Sequence, residues 1–560
     1  MKTISIREIQ GSELHSPLAG KTVKTHGLVT GVLRRGFFLQ TPNIVWDGQG
    51  SDAVFVYTSD WLPERGAMLE VVGEVIDYLK HETAKPVTQI HLDRARIRPD
   101  RDAQGVAFRV EPIQFSRGFL EQDNQALACQ LNSLEGMLIR IAAGQTFIAP
   151  SNSHGDYVLA LDADGDDDSM LRSEHLGALI SPDNPQRWYP GFRVANYNHA
   201  QRLNVGARLT ADICGPLHYR ADSYQLSVSD PFKIEPAFVG LPKSTLTPTA
   251  GSVTIMTLNC FNLDPHIESA SLVTNPRQDV DDDWGDGRFH TLAQAVVLQA
   301  NTPDIIALQE IQDSDGAELT ERVEATRTYQ LLVNTIEELS GIKYRWANVN
   351  PQLGADGGQP GGNIRNGYLY NPDRVSEVEG SVRVFGEHEA YFEGSRKPLL
   401  ALFQEHHSNK VLACINLHLA SKRHQNSIFA PDQPGFDCKL AVRVAQARRV
   451  QQETALLREK GLAYYVTGDF NDTEHSETLR TLIGKHSVNL VETLAENERY
   501  DYNHRGKLQV LMHGIVDREM TSATAQYEII HGNELIGVQP GEDSDKPSDH
   551  AYVLAKLQLH

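Results

Sequence analysis

Asp469 and Asn471 follow a short run of strand-forming residues, 464–467, and stand two positions apart. On an extended backbone both side chains leave the same face of the strand. Carboxylate and amide oxygens on one face suit Mg²⁺, Mn²⁺ or Ca²⁺, or the hydrogen bonding of a water or a phosphate, and they suit zinc poorly. The same spacing is also typical of a turn whose side chains bond their own backbone, so both interpretations stay open for the pair alone.

Other segments with strand patterns also end in polar residues. Asn259 ends the run 253–259, Glu310 ends the run 303–310, and His418 ends the run 410–418. Segments with helical periodicity, 288–300, 326–339 and 440–460, alternate with strand segments. We therefore predict an α/β sandwich in which helices cover the sheets and functional groups collect at one edge.

The order of these polar residues continues with Arg396 and with the pair Asp549 and His550. From Asn259 to His550 this order resembles that of the endonuclease/exonuclease/phosphatase superfamily, whose fold is a four-layer α/β sandwich. More narrowly, residues 259–265, 307–313, 360–365 and 418–423 look like those of bacterial extracellular-type nucleases that carry N-terminal OB-fold-like modules. The resemblance covers nearly the whole chain.

The resemblance implies a divalent-metal-dependent phosphodiester hydrolase, in particular a nuclease acting on DNA. Such hydrolysis requires charge neutralisation, an oriented hydroxide and help for the leaving oxygen. The resemblance also implies Mg²⁺ as the cofactor, with Mn²⁺ as a substitute, and an extracellular or periplasmic location. By this resemblance Glu310 ligates the metal together with Asn259 and Asp549. Asp469 and Asn471 position the water or the phosphate, His418 and Arg396 stabilise the phosphorane oxygens, and His550 acts as general base or as an electrostatic partner of the phosphate. Arg365, Asn366 and Lys422 contact the substrate.

One position departs from the pattern of the family. The family places an aspartate just before a histidine-containing apolar strand, where its carboxylate orients the catalytic histidine, and Met512 occupies that position in the segment 509–516. A thioether cannot fix the tautomer of an imidazole or stabilise its cation. Four interpretations follow: the register differs, Asp517 or Asp501 supplies the carboxylate, the protein is a catalytically impaired binder, or the change leaves a reduced activity.

The N-terminal half has a different pattern of secondary structure. Residues 1–110 show four or five short strands separated by turns, which predict a small OB-fold-like β-barrel. Its aromatic residues Phe37, Phe38 and Phe55 either stack on single-stranded nucleic acid or fill the barrel core. Residues 111–240 predict a second β-rich module, which could be another such barrel. Residues 241–251 predict a linker, and residues 252–560 form the α/β sandwich.

Composition limits the partners. The 560 residues carry a formal charge of −21, which excludes a generally basic nucleic-acid-binding protein. Metal ions or local positive charge must then neutralise the phosphates, and the densest positive charge of the C-terminal half is Lys422, Arg423 and His424 with Arg443, Arg448 and Arg449. The five cysteines are scattered, so neither a disulfide framework nor a zinc site is predicted. No apolar run is long enough to span a bilayer. Residues 1–8 alternate as in a strand and contain no apolar core of a secretory signal.

Two further alternatives concern ligands and function. The acidic run 279–286 either binds a structural Ca²⁺ or forms a solvated loop. For function, a lipid or inositol phosphoesterase on the same fold and a non-catalytic nucleic-acid-binding relative remain beside the DNA nuclease. Met512 is the residue that favours the non-catalytic alternative.

Overall fold

The computed structural model of the protein describes residues 1–82, 84–102, 104–121, 123–161, 171–180, 191–422, 437–520, 525–541 and 546–559. A β-barrel, a second β-rich module and an α/β sandwich follow one another along the chain. The predicted fold class, an α/β sandwich preceded by β-rich modules, is confirmed. Among the helices of the described ranges, none combines the length and the apolar composition that a membrane crossing requires.

The first part is a closed five-stranded barrel with one short helix. The elements are α1 (Ile6–Gln10), β1 (Thr22–Leu33), β2 (Gly36–Gln40), β3 (Ala53–Tyr57), β4 (Met68–Tyr78) and β5 (Val87–Ile97). The strands pair in the order β1-β2-β3-β5-β4, and β4 pairs back to β1. Helix α1 replaces the strand predicted for residues 1–8. Ser5 caps this helix, because its hydroxyl accepts the Glu8 amide while the Glu8 carboxylate accepts the Ser5 amide.

The three phenylalanines of the barrel are buried and do not form an exposed stacking surface. Phe37 belongs to the barrel core, and Phe38 and Phe55 pack against the His218 ring at centroid distances of 5.2 and 5.4 Å. His218 lies in the second module. The aromatic side chains therefore fill the barrel and its contact with the next module, which agrees with the second of the two interpretations that the sequence left open.

The second module is built on a six-stranded sheet and is not closed as a barrel in the part of the chain that the structure describes. Its strands are β6 (Ile113–Gln114), β7 (Leu138–Ile141), β8 (Asp156–Ala160), β9 (Gly191–Ala195), β10 (Arg208–Leu209), β11 (Ile213–Arg220), β12 (Ser223–Ser227) and β13 (Ile234–Glu235), with helix α2 (Asn124–Asn132). The sheet order is β6-β7-β11-β12-β9-β8, and β10 pairs with β13 separately.

A buried ion pair joins the barrel to the second module. Lys85 Nζ lies 2.5 Å from Glu135 Oε2, with both side chains almost fully buried. The same ammonium group lies 5.0 and 5.3 Å from the ring centroids of Tyr219 and Tyr224. Because a buried charge must be paired to be tolerated, these contacts fix the relative position of the two N-terminal parts.

Residues 241–251 form no helix or strand, but they are bound to the sandwich. The Ser244 hydroxyl donates to Glu528 Oε2 over 2.7 Å, and the Thr245 amide donates to the same oxygen over 3.1 Å. Leu246 is buried in a hydrophobic cluster of the sandwich. The segment predicted as a linker is thus attached to the sandwich by hydrogen bonds and by a buried side chain.

The sandwich contains two sheets and the helices that cover them. Its strands are β14 (Ser252–Leu263), β15 (Ile305–Ile311), β16 (Arg345–Asn348), β17 (Arg365–Tyr370), β18 (Val375–Glu377), β19 (Arg383–Val384), β20 (Leu399–Glu405), β21 (Val411–His418), β22 (Ala463–Asp469), β23 (Ser487–Asn489), β24 (Tyr502–His504), β25 (Lys507–Gln509), β26 (Met512–Asp517), β27 (Ala525–Ile530) and β28 (Tyr552–Gln558). Its helices are α3 (Pro276–Asp279), α4 (Arg288–Gln294), α5 (Thr326–Ser340), α6 (Leu440–Glu459) and α7 (Glu477–Ile483), and α4 continues as a π-helical turn, Ala295–Gln299.

The first sheet has the order β16-β17-β15-β14-β28-β27, and the second has the order β18-β20-β21-β22-β26-β23 with β19 beside β20. Alternate residues of each strand face opposite sides. In β15, Ile305 and Ala307 pack between the sheets, while Ile306 and Leu308 pack under α4 and α5. Strand β21 alternates in the same way between the inter-sheet core and the layer of α6 and α7. Helices, two sheets and helices therefore form the four predicted layers.

Candidate functional site

The polar strand ends lie on the inward faces of the two sheets, at one edge of the sandwich. Strand β14 runs parallel to β15, and β21 runs parallel to β22 with His418 opposite Asp469. Thr257 stands two residues before Asn259, and Thr467 stands two residues before Asp469. The hydroxyl oxygens of the two threonines lie 2.5 Å apart across the core. The carboxyl ends of four strands thus converge at this edge, which is where ligands bind in many α/β sheets.

A buried amide pair holds the two sheets together below this edge. Gln309 Nε2 donates to Asn416 Oδ1 over 2.7 Å, and Asn416 Nδ2 donates to two backbone carbonyl oxygens of the first sheet at 2.8 and 2.9 Å. Neither residue was predicted as part of the site. The available signal was the strand period, because Asn416 stands two residues before His418 and shares its face.

Two site residues have left-handed backbone conformations. Glu310 has a φ of 56° and Asn471 has a φ of 51°, in a region that residues other than glycine rarely adopt. At Glu310 the strand pairing shifts register between Leu308 and Ile311, so the chain bulges there. The bulge brings Glu310 to the inner edge although Ile306 and Leu308 face outward. Backbone strain of this kind is found where a side chain is aimed at a ligand.

His418 lies between carboxylates of the two sheets. Its Nε2 is 3.7 Å from Glu310 Oε1 and 3.5 Å from Asp469 Oδ2. Burial, together with the positive charges of Arg396 and His550, holds the pKa of His418 well below its usual value. The imidazole is therefore neutral at neutral pH. Its Nδ1 is buried and has no hydrogen-bond partner among the described residues.

Asp469 and Asn471 form the turn that one of the two sequence interpretations predicted. The Asn471 amide donates to Asp469 Oδ1 over 2.8 Å, which is the turn-capping bond, and Asn471 Nδ2 donates to Asp469 Oδ2 over 3.2 Å. Asp469 Oδ2 at the same time faces the two histidines, at 3.5 Å from His418 Nε2 and 3.8 Å from His550 Nε2. Burial raises the pKa of Asp469 to about 6. The turn therefore orients a carboxylate that remains directed into the site.

Asp501 supplies the carboxylate that the sequence pattern lacks at position 512. Asp501 Oδ2 lies 2.6 Å from His550 Nδ1. Burial alone would lower the pKa of His550, but Asp549, Asp501 and Asp469 outweigh it and raise that pKa to about 10. Asp501 Oδ1 accepts the backbone amides of Leu511 and Met512 at 2.5 and 3.0 Å. His550 is thus held by a carboxylate that is itself fixed.

Asp517, the other aspartate that could have replaced this carboxylate, lies elsewhere. Asp517 stands at the far end of β26, where its Oδ2 pairs with Arg458 Nε at 3.1 Å. Met512 is opposite Asp469 in the paired strands and is completely buried in the core between the sheets. Of the interpretations of position 512, the structure favours Asp501 as the substitute.

The predicted metal ligands present hard oxygen donors next to one another. Burial and the neighbouring Asp549 carboxylate raise the pKa of Glu310, while a hydrogen bond with Asn259 opposes this shift. The Asp549 side chain is the most exposed of the three, at 38%. Two nearby carboxylates and an amide oxygen fit a Mg²⁺ or Mn²⁺ ion, which would relieve their mutual repulsion.

Arg396 and Asn366 are buried beside these groups. Arg396 Nη2 donates to the Leu419 carbonyl oxygen over 3.2 Å, and its positive charge acts on Glu310 and Asp469. Asn366 Nδ2 donates to the carbonyl oxygens of Lys397 and Asn416 at 3.1 and 3.3 Å, while its Oδ1 is buried with no hydrogen-bond partner in the described part of the chain. Both side chains are thus near the strand ends that form the site.

Arg365 and Lys422 are engaged in internal contacts. Arg365 is only 2% exposed, and its guanidinium donates to Asn350 Oδ1 and to the Asn363 carbonyl oxygen at 2.7 and 2.8 Å. It lies on the opposite face of β17 from Asn366, so the structure does not bring its side chain to the strand ends with the other predicted residues, and its contact with substrate stays a prediction. Lys422 Nζ lies 3.0 Å from Asp472 Oδ1, and Arg443 Nε lies 3.1 Å from Asp472 Oδ2. These two cations are thus paired with Asp472. Arg448 is exposed on α6, and Arg423 and His424, which the predicted basic track also includes, lie outside the described residues.

A group of carboxylates outside this site includes one residue of the acidic run 279–286. Asp264, Glu268 and Asp281 offer oxygens that lie within 4.8 Å of one another. Burial, with the neighbouring acids, raises the pKa of Asp264 to about 9 and that of Asp281 to about 7. The group could hold a cation, in line with the structural Ca²⁺ interpretation of the run.

Comparison with known proteins gives a family match for the second module. A model described as a domain of unknown function, DUF8508, matches residues 114–235. No curated protein sequence matches the chain.

Solved structures of low identity are similar to about half of the chain. Humanized TDP2 of D. rerio is 16% identical, and the match covers 55% of this chain and 99% of that chain with a TM-score of 0.35. An endonuclease/exonuclease/phosphatase family protein from Bacteroides thetaiotaomicron is 19% identical over 55% and 98%, with a TM-score of 0.34. The human Nocturnin catalytic domain with bound sulfate is 13% identical over 55% and 94%, with a TM-score of 0.35. Likenesses at this level carry neither a substrate nor a reaction over to this chain.

Proposed function

We propose that the protein is a divalent-metal-dependent phosphodiesterase that hydrolyses nucleic acid, with DNA as its substrate. The proposal rests on one observation: carboxylates and histidines from both sheets lie close together at one edge of the sandwich. Glu310 Oε1 and Asp469 Oδ2 lie 3.7 and 3.5 Å from His418 Nε2, and the same Asp469 oxygen lies 3.8 Å from His550 Nε2. Such an arrangement can orient a water against a phosphate and balance the charge that develops.

The ligands of the metal would be Glu310, Asn259 and Asp549. A bound Mg²⁺ or Mn²⁺ would polarise the phosphate and lower the pKa of a bound water. Because Asp549 is the most exposed of the three donors, the metal site opens to solvent on its side. Divalent cations in phosphate sites commonly keep several waters, and this opening leaves room for them.

The remaining residues bind, orient and stabilise. Asp469 Oδ1 is held by the Asn471 amide, so Oδ2 is the oxygen that orients the attacking water. His418 Nε2 and the Arg396 guanidinium stabilise the phosphorane oxygens, since both adjoin the two carboxylates that flank the phosphate. His550 Nδ1 is bound by Asp501, which leaves Nε2 directed at Asp469 as an electrostatic partner of the phosphate.

Metal removal tests this function directly. We expect nicking of a supercoiled plasmid and cleavage of a labelled oligonucleotide with Mg²⁺ or Mn²⁺, and no cleavage in EDTA until the metal is restored in excess. Cleavage that persists in EDTA would contradict the metal dependence. Binding without cleavage in every arm would make the protein a non-catalytic binder, and preferential hydrolysis of an inositol or lipid phosphoester would establish the other enzyme class.

Nucleic acid is favoured as substrate by the uneven distribution of charge. Residues 1–110 contain 14 Lys and Arg against 13 Asp and Glu, whereas the rest of the chain contains 38 against 60. Arg94 and Arg96 are exposed on β5, and Arg98 follows in the same alternation. On a strand these side chains share one face at intervals of about 6.7 Å. Glu70 Oε2 lies 3.7 Å from Arg98 Nη1. This row of arginines can bind a phosphate backbone without reading its sequence.

The row makes a prediction for binding. In EDTA, Arg94→Gln with Arg96→Gln should weaken the binding of a fluorescent oligonucleotide about tenfold at low salt, and lower the slope of log Kd against log salt by about 1.5. Hydrolysis of a small chromogenic phosphodiester should not change. The matched control is Arg34→Gln with Arg35→Gln, which removes the same charge from the exposed turn between β1 and β2. Equal losses in both double variants would contradict a specific role for the row.

A further inference from the structure

Two segments that belong to neither sheet of the sandwich converge on His550. The first is the hairpin of β24 and β25, which follows Asp501 directly. The second is the loop 531–541, from which Asn533 Nδ2 donates to the His550 carbonyl oxygen over 2.9 Å. The hairpin also places the Tyr502 ring on the His550 ring, at a centroid distance of 4.8 Å. The position of His550 therefore depends on what holds these two segments.

The hairpin is held by the second module. The Leu508 amide donates to the Ala178 carbonyl oxygen over 2.8 Å, and the Ile180 amide donates to the Leu508 carbonyl oxygen over 3.0 Å. Asn503 Nδ2 donates to the Ile148 carbonyl oxygen over 3.0 Å. A two-stranded hairpin is at best marginally stable alone, so these bonds to the module supply the support that its own ladder lacks.

The loop is held by the same module. The Val205 amide donates to the Leu535 carbonyl oxygen over 2.9 Å. Ser151 forms a reciprocal pair with Val538, because its hydroxyl donates to the Val538 carbonyl oxygen over 2.7 Å and its carbonyl oxygen accepts the Val538 amide over 2.9 Å. A buried apolar cluster joins both segments to the module through Leu179, Val205, Val239, Tyr500, Leu508 and Leu535.

We propose that the module matching the domain of unknown function, residues 114–235, is a structural part of the active site that positions the Asp501–His550 pair. It does so by clamping the hairpin and the loop 531–541, with Asn503 and Leu508 as positioning residues. This role rests on the proposed function, because it assigns the module to the reaction of that site. A displacement of about 1 Å in a catalytic group can cost 10²-fold in rate, so an element that fixes these segments acts on turnover without touching substrate.

The test replaces a single contact in the full-length protein. Leu508→Ala removes a leucine that packs on the module, and its matched control is Leu226→Ala, a buried leucine in the core of the module itself. We expect Leu508→Ala to lower kcat about tenfold with little change in KM, and Leu226→Ala to leave kcat within about twofold at temperatures where both variants are folded. Asn503→Ala removes the bond to the Ile148 carbonyl oxygen and the bond that Asn503 Oδ1 accepts from the Gly506 amide within the hairpin. It should lower kcat in the same direction, and it serves if Leu508→Ala does not fold. Equal kcat in the test and control variants would overturn the proposal.

A double variant separates positioning from general destabilisation. If Leu508 acts through Asp501, then Leu508→Ala should lower kcat no further when Asp501 is already asparagine. A full additional tenfold loss in the double variant would overturn this route.

Hydrogen exchange provides a readout that does not need activity. The Ala551 amide donates to the Asp501 carbonyl oxygen over 2.7 Å, so peptides covering residues 547–553 should exchange faster in Leu508→Ala than in Leu226→Ala. An unchanged rate there would contradict the clamp. If the wild-type protein hydrolyses no phosphodiester, the proposed function fails, and the exchange experiment still decides whether the module positions this segment.

Discussion

Replacement of Glu310 by glutamine is expected to lower kcat for phosphodiester hydrolysis about 10³-fold and to raise the Mg²⁺ concentration needed for half-maximal rate. Glutamine keeps the shape of the side chain and removes the charge that would bind the metal. A catalytic metal supplies several kcal/mol of charge stabilisation, and about 1.4 kcal/mol corresponds to a factor of ten in rate. The measurement is the rate of oligonucleotide cleavage as a function of Mg²⁺ concentration.

Asp469→Asn gives the comparison that separates the two carboxylates. We expect kcat to fall about 10²–10³-fold, because the role proposed for Asp469 is to orient the attacking water, with a smaller change in the Mg²⁺ requirement than Glu310→Gln causes. Glu377→Gln is the control, since this partly buried carboxylate lies on β18, away from the strand ends of the site. If Glu310→Gln cleaves at the wild-type rate with the wild-type Mg²⁺ requirement, the assignment of the metal site is wrong.

The strand period made much of this site predictable. Asn259, His418 and Asp469 all end runs of alternating or buried apolar residues, and in the structure each lies on the inner face of its sheet. The predicted strands and helices of the sandwich agree with the observed ones to within a few residues at their ends. The local pattern of apolar residues determines where long, strongly periodic helices and strands form, and few arrangements then bury all of their apolar faces.

What the sequence did not decide has physical causes as well. Arg365 and Asn366 are adjacent in one strand, so they face opposite sides, and the sequence does not show which face lies toward the site. Asp501 was one of two aspartates offered as a substitute for the missing carboxylate; it stands 49 residues before His550, and no local pattern selects it at that separation. For Phe37 both stacking and core filling stayed open, because an aromatic residue in a short strand has the same sequence pattern whether it is covered or exposed.

Asp501→Asn is expected to produce the second large effect. The asparagine keeps the bonds from the Leu511 and Met512 amides at Oδ1, but it replaces the charged partner of His550 Nδ1 by an amide. Loss of such an orienting group costs at least 10–100-fold, and the same change in serine proteases costs about 10⁴ in turnover. We therefore expect kcat to fall by about 10² or more, together with a lower unfolding temperature, because the buried His550 loses a charged partner.

The control for this variant is the other aspartate that could have replaced the missing carboxylate. Asp517→Asn removes the partner of Arg458 at the far end of β26 and should leave kcat unchanged. A large loss of kcat in Asp517→Asn, with none in Asp501→Asn, would mean that the carboxylate acting on His550 is not the one beside it in the structure.

Met512→Asp completes this argument, because it restores the residue that the family pattern calls for. In the structure Met512 is completely buried, and the new carboxylate would lie opposite Asp469 without a positive partner of its own. We expect the free energy of unfolding to fall by about 3 kcal/mol and kcat not to rise, whereas Met512→Leu should cost less than about 1.5 kcal/mol. Urea unfolding and oligonucleotide cleavage measure the two quantities, and an increase in kcat would show that His550 lacked a carboxylate. The backbone amide of Met512 binds Asp501 while its side chain fills the core. Position 512 thus supports the Asp501–His550 pair through its amide, and it does not need an acidic side chain to do so.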